Sequence, residues 1–142
     1  MPLTHSVEIE VRRVKGKGRG VFARRPIAEG EVIERVPVLV LSAGDIKHAE
    51  SWNGFAGYCF LWGDGTVALA LGYGSLYNHS YRPNARYLDQ GRQTKVFSAL
   101  RDIAAGEEIT INYNGEPTDE TPVDFKVIEA EETTPVPAAG GR

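Results

Sequence analysis

Cysteine is almost missing from this chain. Cys59 is the only one in 142 residues, so no disulfide can close within the chain and no cysteine-based zinc cluster can form. Long apolar runs are missing too. No stretch approaches the roughly 20 residues that span a bilayer, and Met1-Pro2-Leu3-Thr4-His5 lacks the apolar centre of a secretion signal. These absences lead us to expect a reducing cytoplasm and no membrane contact. An excess of positive charge is also lacking. The formal net charge is -3, which gives no support to direct nucleic-acid binding, where a basic domain is the rule. Histidine is scarce, and His5 and His48 offer His79 no ligand spacing, so no metal site is expected. Gly18-Arg19-Gly20 is followed by Val21, which breaks the dinucleotide-binding glycine pattern, and the Gly-Lys-Ser/Thr of a P-loop is absent.

A chain of this length is one domain, able to bury a core without covalent staples, and its 42% hydrophobic and 25% charged content is ordinary for a globular protein. The charge is uneven along it. Residues 1–25 carry seven Arg and Lys against Glu8 and Glu10, whereas residues 114–132 carry seven acids against Lys126 alone. The acidic stretch reads either as a field that steers a basic peptide inward or as a plain solvated tail. The basic run from Arg12 to Arg19 overlaps a strand and a glycine turn, which favours a solvated surface over a localisation signal.

Val7-Glu8-Ile9-Glu10-Val11-Arg12 alternates with the period of a half-buried strand, and Gly16 to Gly20 turns the chain into Val21-Phe22-Ala23. Val32 to Val36 and Val38 to Leu41 read as strands separated by Pro37, which lacks an amide donor and belongs at an edge or bend. Residues 43–50 suit one short helix. Residues 57–62 and 66–71 flank Gly63-Asp64-Gly65 as a hairpin, and residues 95–101 and 108–113 flank a turn at Ala105-Gly106. Many short strands, frequent glycine turns, no internal repeat and no long 3.6-residue period predict a mainly β protein. Beyond about Glu116 the pattern fades into Pro, Thr, Glu and Ala.

Three segments stand apart: Gly18-Arg19-Gly20-Val21-Phe22-Ala23, Asn78-His79-Ser80-Tyr81-Arg82-Pro83-Asn84, and Gly106-Glu107-Glu108-Ile109-Thr110-Ile111-Asn112-Tyr113. In this order and spacing they resemble the signature of SET-domain protein-lysine methyltransferases, in particular the minimal stand-alone SET proteins of large DNA viruses and bacteria. The resemblance covers residues 7 to 114. It implies the SET fold, of β-clip type, with small curved sheets and a C-terminal pseudoknot in which the Asn-His-Ser segment meets the final tyrosine segment. It also implies S-adenosylmethionine as cofactor and a lysine ε-amine as acceptor, and not the doubly wound methyltransferase fold. The corresponding division is a SET domain over 1–118, a closing segment over 119–127 and a disordered acidic, Pro-rich tail over 128–142.

Lysine methylation needs an unprotonated amine, two aligned reactants and oxygen atoms around the moving methyl. A narrow apolar channel lowers a lysine pKa, reactants entering from opposite ends are aligned, and carbonyl and phenol oxygens receive C–H contacts. By resemblance, Tyr113 is the catalytic tyrosine, with strand packing as the plainer reading. Tyr87 aligns with a tyrosine that in some members lies beside the target nitrogen, and it would govern the number of methyls added, because Ile111 is aliphatic where other members carry Phe or Tyr; a partly exposed residue without that role is the plainer reading. Tyr58 lines the channel or packs in the core. Asn78 and His79 bind the cofactor, together with Lys17, Gly18, Arg19, Gly20 and Tyr113. Tyr81 departs from the Cys common at its position. Phe125, the only aromatic after Tyr113, closes over the adenine or simply docks on the core. Expected partners are a basic protein, whether histone, histone-like or ribosomal, and a second copy of the chain, since the viral proteins are dimers. Two rivals remain: a SET-fold interaction module without useful activity, and a small β-barrel that binds RNA, which the acidic balance disfavours.

Overall fold

The computed structural model describes residues 6–42 and 55–129 together with Leu3 and Gly44. Apart from Gly44, the helix expected over 43–50 lies outside the described residues, as do all but the first two residues of the tail expected over 128–142. The described strands are β1 (Ile9–Val14), β2 (Gly18–Ala23), β3 (Val32–Leu41), β4 (Cys59–Leu61), β5 (Val67–Ala70), β6 (Asn78–His79), β7 (Ala85–Gln90), β8 (Thr94–Ala99) and β9 (Glu108–Ile111). They form two sheets, ordered β1-β2-β9-β6 and β4-β5-β3-β8-β7. The mainly β expectation is met.

The β1–β2 hairpin forms where alternation and glycines place it, with Val14 opposite Gly18. Pro37 lies mid-strand in the central strand of the larger sheet, at the point where β3 changes partner. Its ladder with β8 ends at the Pro37–Thr94 pair, and its ladder with β5 begins at Val38–Ala70. The missing donor therefore falls where one ladder hands over to the next, while the Pro37 carbonyl still accepts from the Leu71 amide at 3.0 Å.

Two local expectations need correction. Residues Phe55–Tyr58 form a 3-10 turn, and β4 begins only at Cys59. The Ala70 amide, which a longer β4 would use, donates instead to Ser75 Oγ at 3.0 Å. The stretches on either side of the Ala105-Gly106 turn do not pair: β8 lies in the larger sheet and β9 in the smaller.

The sheets share a core that includes Val21, Ile27, Ile33, Val36, Phe97, Ile103, Ile109 and Ile111. β9 is central. It pairs antiparallel with β2 on one side and parallel with β6 on the other, with Asn78 opposite Thr110 and His79 opposite Ile111. Parallel neighbours cannot be joined by a tight turn, so the chain between them makes a long excursion through β7 and β8. Buried Asn84 locks the two segments together. Its Nδ2 donates to the Glu108 carbonyl at 2.8 Å, and its Oδ1 accepts from the Thr110 amide at 2.9 Å. His79 Nδ1 accepts from the Tyr113 amide at 3.0 Å. That acceptor role puts the ring proton on Nε2, which has no hydrogen-bond partner among the described residues. This is the interlock that the resemblance implied.

Asn84→Ala should cost about 1–3 kcal/mol, because it strands the buried Thr110 amide and Glu108 carbonyl; urea unfolding will measure it. His79 adds a pH dependence. Burial holds its imidazole below the ordinary value, with the Glu129 carboxylate working against that. The unfolded chain therefore takes up the proton first, and stability falls as pH drops below about 6.5. Glu34, raised by burial, contributes a slope of opposite sign, so the comparison must be between chains. Between pH 7 and 5.5, Tm should fall more in the native protein than in His79→Asn, whose Oδ1 can still accept from Tyr113.

Candidate active site

A cavity of about 540 Å³ opens between the β1–β2 hairpin, the 3-10 turn, the β6–β9 interlock and the C-terminal segment. Its volume falls in the range of small-molecule sites. Of the residues singled out in the sequence, it brings together Lys17, Gly18, Arg19, Tyr58, Asn78, Tyr113 and Phe125. Gly20, His79 and Tyr87 lie behind its walls. Arg13, Gly57, Ser75 and Leu76 also line it and were not anticipated. Arg13 sits opposite Arg19 in the hairpin register, so its place was readable once that register was known.

The floor rests on a polar cluster. Lys17 Nζ meets Glu108 Oε1 at 3.0 Å, with both side chains largely shielded from solvent. Asn78 Nδ2 donates to Glu108 Oε2 at 2.7 Å and to the Arg19 carbonyl at 2.9 Å. Both amide protons are thereby used, leaving Asn78 Oδ1 to accept from whatever occupies the cavity. Gly20 explains itself here. A Cβ would come within 2.4 Å of Glu108 Oε2 and 2.7 Å of Asn78 Nδ2, so this glycine makes room for the cluster and does not itself border the cavity. Gly18, at φ +81, does border it, and a Cβ there would meet open space.

Tyr113 follows directly from the end of β9 through Asn112. Its hydroxyl donates to the Tyr77 carbonyl at 2.6 Å. Although 39% of the residue is exposed, burial of the phenol, followed by the nearby charge of Glu108 and the phenols of Tyr58 and Tyr87, pushes its pKa up to about 12. Tyr113 is therefore neutral at physiological pH. Tyr77 is itself fully buried, stacked on Phe97 at 4.5 Å, with its hydroxyl on Glu34 Oε1 at 2.8 Å. Tyr87 stands on β7, and its hydroxyl reaches the Tyr113 carbonyl at 3.4 Å. Burial, with a smaller push from Asp89, raises this phenol to about 12 as well. Tyr58 caps the 3-10 turn at the cavity wall, about half exposed.

The C-terminal segment closes one side. Phe125 sits 5.9 Å from the Tyr113 ring and 6.0 Å from the His79 ring. Asn112 Nδ2 donates to the Asp119 carbonyl at 2.7 Å, and Asn114 Nδ2 to the Thr121 carbonyl at 2.8 Å. Tyr81 holds the segment too: its hydroxyl accepts from the Val123 amide at 3.0 Å and its ring packs edge-on against His79. Ser80 Oγ donates to Glu129 Oε1 at 2.5 Å. The anchoring thus extends to Glu129, two residues past the boundary drawn at 127. Tyr81 stood out in the sequence only as a departure from the family's Cys, and neither its contact with Val123 nor the role of Glu129 was anticipated, because nothing local to either residue announces a contact so distant along the chain.

No group of His, Cys, Asp and Glu among the described residues is arranged to hold a metal ion. No helix among them is long and apolar enough to cross a membrane. The donor set suits a zwitterionic organic ligand instead. Arg13 and Arg19 face the cavity without a carboxylate partner among the described residues, Asn78 offers an acceptor, and Tyr113 and Phe125 offer ring surface.

Comparison with known proteins agrees with this geometry. The SET domain family matches residues 18–114. A Schizosaccharomyces pombe histone-lysine N-methyltransferase, specific for H3 lysine-37, is 36% identical over 106 residues, covering 74% of this chain and 72% of that protein. The Danio rerio N-lysine methyltransferase KMT5A-A is 30% identical over 117 residues, 72% of this chain and 34% of its own length. Among solved structures, a Plasmodium falciparum protein described as a candidate histone methyltransferase superposes with a TM-score of 0.63 at 28% identity, covering 75% of this chain and 92% of that one. With the interlock and the tyrosine-lined cavity in place, the chain belongs to the SET-domain family of protein-lysine N-methyltransferases.

Proposed function

We propose that the chain binds S-adenosylmethionine in the 540 Å³ cavity and passes its methyl group to a lysine ε-amine that arrives beside Tyr113 and Tyr87. The observation that carries this reading is the meeting of Asn78, the basic β1–β2 hairpin and Tyr113 at one cavity. The bound cofactor supplies an electrophilic methyl on a sulfonium. Everything else falls to the chain. Arg13 and Arg19 suit a carboxylate, and the free Asn78 Oδ1 suits an ammonium. Phe125 and the backbone around His79 suit the flat face and edge of an adenine.

Tyr113 has its proton committed to the Tyr77 carbonyl, so the hydroxyl lone pairs are left for a methyl C–H or an amine N–H. Because this contact strengthens as positive charge develops on the moving methyl, it lowers the barrier more than it aids binding. Tyr58 and Tyr87 provide the partly dry walls that disfavour an ammonium and keep the incoming amine neutral. The hydroxyl of Tyr87 is the group that limits how far a methylated nitrogen can turn.

A histone-type protein is the first substrate to test, given the activity named for the Schizosaccharomyces pombe relative. Histone-like and ribosomal proteins offer the same basic chemistry. The acidic residues of the 116–129 segment, held beside the cavity mouth, favour such a partner through long-range attraction. A homodimer and a cytoplasmic setting belong to the same proposal, the first resting on the sequence resemblance and the second on the scarcity of cysteine and of apolar runs.

Incubation with labelled cofactor and, separately, core histones, histone-like proteins and ribosomal proteins should label at least one fraction. Tyr113→Phe should then lower kcat about a hundredfold or more while cofactor affinity, read by calorimetry, stays within about threefold. Full activity in that variant would remove the hydroxyl from the reaction. Truncation tests the closing segment. A chain ending at Gly115 should bind cofactor at least about tenfold more weakly, since it loses the Phe125 ring, and one ending at Glu129 should bind normally. Equal affinities would make the segment a passive strap.

A further inference from the structure

Lys95 is the most thoroughly buried charged side chain in the described structure, 1% exposed, on β8. Its ammonium is enclosed by aromatic faces, 4.2 Å from the Phe60 centroid, 4.3 Å from Tyr87 and 5.2 Å from Trp62. Its one anionic partner among the described residues is Asp89, whose Oδ1 accepts at 2.6 Å and whose side chain is 47% exposed. A lysine in such a place is costly unless its surroundings replace water. Three ring faces and one half-solvated carboxylate do so here.

The position of the cage matters more than its strength. β4 and β7 are the two edges of the five-stranded sheet, which lies in the order β4-β5-β3-β8-β7. Phe60 belongs to β4 and Trp62 follows it, whereas Tyr87 and Asp89 belong to β7. Lys95 therefore sits where a strongly curled sheet brings its opposite edges together, with the Phe60 and Tyr87 rings in edge-on contact at 4.9 Å. The ring it draws in from β7 is the one whose hydroxyl reaches the Tyr113 carbonyl. A neutral aliphatic side chain would fill the same space without preferring ring faces, so it would leave the tilt of Tyr87 less defined.

We propose that Lys95 is a positioning residue for methyl transfer, its ammonium fixing the Tyr87 ring and hence where the Tyr87 hydroxyl stands in the passage that receives the target amine. This rests on the reading that Tyr87 and Tyr113 border that passage. It adds a determinant of product multiplicity that lies outside the cavity and touches no reactant.

The test compares Lys95→Met with the native chain in two backgrounds, with Tyr87 intact and with Tyr87→Phe, using the protein fraction labelled above. With Tyr87 intact, Lys95→Met should lower kcat about tenfold and raise the share of higher methylated product, with cofactor affinity unchanged within about twofold. In the Tyr87→Phe background it should change the product distribution no further, and Lys95→Arg, which keeps a cation over the rings, should restore the native distribution. In lysine-selective NMR the native protein should show one ring-shifted ε-methylene signal, absent from Lys95→Met and displaced in Tyr87→Phe. The same product shift in both backgrounds, or in neither, overturns the proposal. If Lys95→Met does not fold, Asp89→Asn replaces it and is read by the same comparison. A native chain that transfers no methyl, or a fully active Tyr113→Phe, overturns the underlying reading. Normal transfer that needs Tyr113 but is indifferent to Lys95 overturns this proposal alone.

Discussion

The parallel contact between Asn78-His79 and Thr110-Ile111 is the constraint on which the rest of the molecule depends. Two residues on each side would be a weak ladder by themselves. Asn84 makes it specific by satisfying one amide and one carbonyl of β9 with a single side chain, and His79 adds the Tyr113 amide. Once β9 is pinned between β2 and β6, Tyr113 emerges at one fixed place. Glu108 is then aimed at Lys17 and Asn78, and the C-terminal segment starts from a point where it can fold back over His79. The cavity is a by-product of that crossing.

Polar groups carry an unusual share of this architecture. Glu34, Asn84, Lys95, Glu108 and Asn112 are all buried, and each has named partners in the fold. Glu34 receives the Tyr77 hydroxyl and the Tyr73 amide, which fixes the backbone whose carbonyl receives Tyr113. A core built this way specifies geometry more sharply than an apolar one, because a missed contact strands a charge or a donor. A site that must align two reactants gains from that sharpness.

The sequence made the three motif segments legible because their residues are dictated by close approach and by hydrogen bonding, which tolerate few substitutes. Gly20, Asn78, Asn84 and Tyr113 are of this kind. The β1–β2 hairpin was legible from alternation and glycine spacing. β7 was missed because Ala-Arg-Tyr-Leu-Asp-Gln carries polar residues on both faces and reads as loop. Tyr58 was placed in a strand that the Ser75 hydroxyl cuts short. The Lys95 cage was invisible for a different reason. A lysine reads as surface unless one knows that two strand edges, 27 residues apart between Phe60 and Tyr87 in the chain, curl to meet over it. Contacts of this sort belong to the closed sheet and have no local signature.

β9 is late in sequence and central in space, and this sets the timing of assembly. A chain emerging from the ribosome in order completes the larger sheet's strands by Ala99, before the strand that joins β2 to β6 exists. Until residues 108–111 arrive, the smaller sheet has a gap in its middle and the hairpin has no floor beneath it. Pairings so distant in sequence form slowly, because the loop entropy must be met before the contacts return anything. The interval is one in which β2 shows an unpaired edge to other chains. Catalytic competence and protection from misassembly are therefore acquired in the same late step.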